Sequence, residues 1–103
     1  MEPRREVLGE ASGLRVQLVT AEAGQVVGWH SHSAVSDTIV AVVGVVVVEL
    51  FDPPASHRLQ PGERLTIPPG TVHRVGGEDG AACRFVNVHA GGDYDFRPFA
   101  SAS

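Results

Sequence analysis

Hydrophobic and polar positions in this chain fall into short β-branched runs that Gly and Pro interrupt every few residues. Such runs predict strands, and their close spacing predicts an all-β sandwich or barrel with almost no helix. Residues 14–20 read as one strand, with Leu14, Val16 and Leu18 on one face, and residues 25–32 as another. Residues 38–43 and 45–51 are two strands or one long bent strand, with Gly44 as a turn or bulge. Asp52-Pro53-Pro54 ends that run because proline offers no ladder donor. Shorter strands are expected over 58–59, 64–67, 71–75 and 82–89, with turns at 60–63 and 68–70 and a loop over 76–80. No strand is predicted before Leu14. The tail after Gly92 is expected to be irregular, and residues 100–103 to fray.

The run from Ile39 to Val48 lacks alternation, which predicts a sheet segment covered on both faces. A small barrel cannot easily cover both, so a homodimer is expected, with this sheet or the tail at the interface. The run is also too short and too valine-rich for a spanning helix, so no membrane segment is predicted. The whole chain, residues 1–103, is expected to form a single domain with its core over about 14–89.

Composition narrows the partners. The chain has 43% hydrophobic residues and a net charge of −4. Its eight basic residues, all arginine, are dispersed, so no phosphate-binding stripe and no nucleic-acid partner is expected. The absence of lysine rules out Schiff-base chemistry. Cys83 is the single cysteine, which excludes an intrachain disulfide and a thiolate zinc cluster. With no apolar leader at the N-terminus, this suits the cytoplasm.

The candidate chemistry lies in three histidines. His30 and His32 sit two apart on a predicted strand and so project to the same side. His73 follows the sharp Pro68-Pro69-Gly70 turn and comes from a different hairpin. Asp37 can be returned to the same pocket by a turn through 34–36. Imidazole and carboxylate are ligands for Fe, Mn, Ni, Zn or Cu, and three His plus one carboxylate leave coordination positions open, as catalytic sites do. Asp37 could ligate the metal or act as a base. Gly28 is expected to share the metal-facing side with His30 and His32 and to leave room for substrate. Val26, Ile39, Ala41 and Phe85 are expected to supply an apolar lining. On the last strand Cys83, Phe85, Asn87 and His89 share one face, and Asn87 and His89 are candidates to line the cavity. Trp29 should face away from the pocket and pack outside. Tyr94 and Phe96 should staple the tail to the barrel or a partner; alternatively Tyr94 closes the mouth and supplies a phenol.

These residues resemble the two motifs of the cupin superfamily. The first reads Gly24-Gln-Val-Val-Gly-Trp-His30-Ser-His32-Ser-Ala-Val-Ser-Asp37-Thr-Ile-Val-Ala-Val-Val-Gly44, with Asp37 where the family usually has Glu. The second reads Gly62-Glu-Arg-Leu-Thr-Ile-Pro68-Pro-Gly70-Thr-Val-His73-Arg-Val-Gly-Gly77, with Gly77 in place of the closing Asn. The resemblance spans about residues 14–89 and implies a jelly-roll barrel, frequent dimerisation, and one divalent transition metal held by His30, His32, Asp37 and His73. It further implies a small organic substrate and a reaction of dioxygenase, isomerase, decarboxylase or lyase type. The alternative is a non-catalytic cupin module that binds a metal or a small molecule.

Overall fold

The fold is built from antiparallel hairpins whose turns fall where Gly and Pro interrupt the β-branched runs. In the computed structural model, which describes residues 2–100, ten strands form two sheets. They are β1 (Arg4–Ala11), β2 (Leu14–Ala21), β3 (Val26–Ser31), β4 (Ser36–Val43), β5 (Val46–Leu50), β6 (Ala55–Leu59), β7 (Arg64–Ile67), β8 (His73–Gly77), β9 (Cys83–Ala90) and β10 (Arg97–Pro98). One sheet has the order β1-β2-β9-β4-β7 and the other β10-β3-β8-β5-β6, and every pairing is antiparallel. The sequence-based expectation of an all-β jelly roll is met. The apolar run from Ile39 to Val48 divides at Gly44 into β4 and β5, one strand in each sheet. Gly44 turns the corner at φ 75°, and a Cβ there would lie 2.9 Å from the Ala82 carbonyl oxygen. A side chain at this position meets backbone, so glycine is the residue that fits.

The interior is layered. Inward positions of β2 run from Ala21 and Val19 to Gln17, those of β4 from Ala41 and Ile39 to Asp37, and those of β9 from Cys83 and Phe85 to Asn87 and His89. On the facing sheet, Val75 precedes His73 outwards along β8, and Val27 gives way to His30 on β3. The register puts like with like: Val19 and Ala41 flank Phe85, while Asp37 pairs with His89 and His30 with His73. One end of the barrel is therefore an apolar floor. The other is a buried polar mouth.

Two features differ from the sequence reading, β1 and β10, and two extend it. Residues 4–11 form β1, whose side chains are all exposed and so carry no amphipathic signal. In β2 the buried side is Gln17, Val19 and Ala21, whereas Leu14, Val16 and Leu18 lie on the outer side. On the outer side of the Ile39–Val48 run, Val40 and Val47 are half-buried and Val42 and Val43 are exposed. The tail contributes β10, which pairs with His30 and Ser31 of β3. The expected fraying over 100–103 falls, for residues 101–103, outside the described residues.

Candidate metal centre

His30, His32, Asp37 and His73 meet at the mouth, with one ligand atom from each lying within 4.8 Å of the others. Local backbone geometry brings them there. A bulge in β3 between Val27 and His30 shifts the register, so both Val27 and His30 are buried while Gly28 and Trp29 lie toward the outside. His32 follows at the end of the strand. The Gly70 N–H donates to the His32 carbonyl at 2.8 Å, tying the Pro68-Pro69-Gly70 turn to the first histidine pair.

Each of the three rings is oriented by backbone. Nδ1 of His30 lies 2.7 Å from the Gly28 carbonyl, Nδ1 of His32 2.6 Å from the Asp95 carbonyl, and Nδ1 of His73 2.8 Å from the Thr71 carbonyl. A carbonyl only accepts, so all three Nδ1 atoms carry the proton and donate. In the neutral tautomer this leaves each Nε2 with a lone pair. Asp37 Oδ2 sits 3.0 Å from His73 Nε2 and 3.5 Å from His32 Nε2, and the latter atom has no hydrogen-bond partner. A carboxylate oxygen and imidazole lone pairs repel at such distances unless a cation or a shared proton lies among them. The donor set therefore fits a divalent transition metal, which takes neutral Nε2 and carboxylate oxygen as ligands.

The electrostatics of His30 and Asp37 agree with that assignment. Burial, reinforced by His73, pulls His30 down to about 3, so it is neutral at physiological pH. Burial also opposes charge on His32, but the Asp37 carboxylate and the Asp95 carbonyl outweigh it and raise its pKa. Burial would raise Asp37, yet the surrounding His32, His73 and His89 hold it well below the ordinary carboxylate value. Asp37 is thus held as an anion facing a nest of imidazoles.

The tail closes the mouth. Phe96 stacks on His30 with ring centroids 4.4 Å apart, and Tyr94 packs 4.8 Å from His89 and 5.4 Å from His32. Arg5 and Arg15 lie over the outer faces of Phe96 and Tyr94. The Asp95 carboxylate accepts from the Ser33 N–H at 2.8 Å, the Ser33 hydroxyl at 2.6 Å and Arg97 Nε at 3.0 Å. Inside this strap the cavity against His30 and His32 measures about 10 Å³, room for one water. Outside it, a cleft of about 360 Å³ runs between the β1–β2 turn and residues 92–94.

The cupin-domain family model Cupin_2 matches residues 17–89. The chain belongs to the cupin superfamily. Among solved structures, a conserved protein with a double-stranded β-helix domain from Klebsiella pneumoniae aligns at TM-score 0.80 and 27% identity, covering 92% of this chain and 82% of that one. An RmlC-like cupin from Desulfovibrio desulfuricans aligns at TM-score 0.74 and 23% identity, over 86% and 82% of the two chains. A recombinant oxalate oxidase in complex with glycolate aligns at TM-score 0.74 and 17% identity, over 84% of this chain and 46% of that chain. No curated protein matches.

Several cavity residues proposed from the cupin sequence are placed differently. Gly28 and Val26 are exposed rather than beside the metal ligands, because the β3 bulge breaks strict alternation; Gly28 contributes only its carbonyl. Ile39 and Ala41 are buried in the apolar floor, below the metal cluster. Phe85, Asn87 and His89 line the inner cavity with Val27. His89 Nε2 lies 3.4 Å from Asp37 Oδ1, and its Nδ1 is buried without a partner. Trp29 packs outside against Phe51 and under Arg74. Gln17 and Asp95 were not among the sequence candidates. Gln17 could have been found as the polar residue that shares one face of β2 with Val19 and Ala21; nothing local marks Asp95.

Proposed function

We propose that this cupin is a metal-dependent enzyme acting on a small organic substrate, with one divalent transition metal (Fe, Mn, Ni, Zn or Cu) held by His30, His32, His73 and Asp37. The observation that carries the reading is the common orientation of the three rings, each with Nδ1 donating to a backbone carbonyl, with Nε2 of His32 and His73 turned toward Asp37 Oδ2 and a ligand atom of His30 within 4.8 Å of theirs. A bound metal would act as a Lewis acid toward a substrate oxygen, the chemistry shared by dioxygenase, isomerase, decarboxylase and lyase reactions. The chain's own groups orient the ligands, exclude water through Phe96 and Tyr94, and keep Asp37 ionised. The apolar surface of Phe85 and Val27 suits a small organic molecule more than a polyanion. A buried free Cys83 suits a reducing compartment such as the cytoplasm.

The test is elemental analysis of protein purified without an affinity tag, followed by turnover assays of the metal-loaded protein on enols, diketones and hydroxy acids. About one equivalent of a transition metal, lost in His32→Ala, is expected. Less than about a tenth of an equivalent, with no uptake on titration, would sink the metal reading. One observation favours a second reading, a non-catalytic metal- or ligand-binding module: the inner cavity of about 10 Å³ admits no substrate while the tail is strapped down. Full metal occupancy with no turnover across the panel would favour it.

The adjacent exposed Val42 and Val43 on the Ile39–Val48 run support a homodimer. Light scattering that gives only monomer at micromolar concentration would overturn that part.

A further inference from the structure

Asp37 is met on its far side by a polar chain that the metal motif does not include. Asn87 Nδ2 donates to Asp37 Oδ1 at 2.9 Å, Gln17 Nε2 donates to Asn87 Oδ1 at 3.2 Å, and Arg15 Nε approaches Gln17 Oε1 at 3.4 Å. Gln17, Asn87 and Asp37 are 3%, 5% and 2% exposed, so bulk solvent does not reach these bonds. The direction of the chain is fixed at both ends. Asp37 only accepts, so Asn87 must present its NH₂ there and its oxygen to Gln17. Arg15 only donates, so Gln17 must present its oxygen outward and its NH₂ inward. The backbone enforces the same order: Gln17 is the direct cross-strand partner of Asn87, and Asp37 pairs with His89 two residues further along β9.

We infer that Gln17 and Asn87 are positioning residues that hold Oδ1 of Asp37 on the His89 side, away from His32 and His73, and so present Oδ2 as the metal-ligating oxygen. The inference rests on the metal reading above and adds to it how the shorter Asp arm is aimed. Without Asn87 the carboxylate is free to rotate about its Cβ–Cγ bond, and Oδ1 loses the neutral donor that distinguishes it from Oδ2. The cluster would then offer a poorly oriented or two-oxygen carboxylate, which changes both affinity and ligand field.

Asn87→Leu is close in shape and removes both the donor to Asp37 and the acceptor for Gln17; Gln17→Met removes the inward donor and leaves Asn87 in place. Mn(II) titration by calorimetry and the absorption spectrum of the Co(II)-loaded protein read out the metal centre, with circular dichroism and melting as the check on folding. Asn87→Leu is expected to weaken Mn(II) binding by about 10–100-fold and to alter the Co(II) spectrum, as outer ligand partners do in metal sites. Gln17→Met is expected to shift both in the same direction by less. A purely structural role lowers the melting temperature but leaves the Co(II) spectrum of the folded fraction unchanged. That result, with unchanged Mn(II) affinity in either folded variant, overturns the inference while wild-type binding keeps the metal reading intact. Wild type that takes up no metal overturns the reading itself.

Discussion

Gly77 stands where the resemblance expects Asn, and the structure explains the exchange. A Cβ at Gly77 would lie 1.8 Å from the Ala81 carbonyl oxygen, because the short 3₁₀ turn Glu78–Gly80 folds back against it. Gly77→Asn is therefore expected to destabilise, although it restores the family's residue. Overpacking of this kind costs about 1–3 kcal/mol, which a thermal melt registers as a lower midpoint. A midpoint equal to or above wild type would contradict the steric account. His30 gives a second prediction at this scale. Its folded-state value, about 3, lies below the ordinary 6.5. Its contribution to stability is thus complete above pH 6.5 and is lost as pH falls from there toward 3. Chelator-treated protein should lose stability over that window, and His30→Asn should show a shallower loss in melts across the same pH series. His32, raised rather than lowered, works in the opposite direction, which makes the His30 variant and not the wild-type curve the decisive comparison. The His/Asp cluster itself was legible from residue spacing, since His-x-His and the Pro-x-Gly turn fix direction locally. Gly28 was not, because a bulge changes which residues face inward and leaves no local mark in the sequence.

At the level of elements, the tail shows why some of the molecule was hidden from sequence reading. Residues 93–99 carry no periodicity, yet Asp95 ties them to Ser33 across 62 positions and lends its carbonyl to His32. β1 was hidden for a different reason: an edge strand with both faces in solvent needs no alternation. Strands β2 to β5 and β7 to β9 were readable because their inner faces are buried. Asp95→Ala should free the strap, with faster amide exchange over 94–98 and metal affinity reduced by about tenfold through the loosened His32. Retained protection and affinity would show that Phe96 and Tyr94 hold the tail alone. The Asp95 carboxyl is lowered from 3.8 to about 2, chiefly by Ser33, so its hold is complete above pH 3.8 and is lost as pH falls through that interval.

Across the whole molecule, the apolar floor and the polar mouth divide stability from chemistry. Phe85 is at their boundary, 1% exposed and flanked by Val19 and Ala41. Phe85→Ala should cost about 3–5 kcal/mol in denaturant melts, most of what a domain of this size has to spare. A loss below about 1 kcal/mol would mean that the floor packs without it. The sheet order has a further consequence, for synthesis of the chain. β2 emerges early and can form its hairpin with β1, but its other edge waits for β9. β4 waits for the same strand. The first sheet therefore cannot grow strand by strand as the ribosome delivers it; it closes only after residue 90 is available. Until then the nascent polypeptide carries open strand edges and valine-rich segments that invite pairing with neighbouring chains, the period in which a chaperone matters most for this protein.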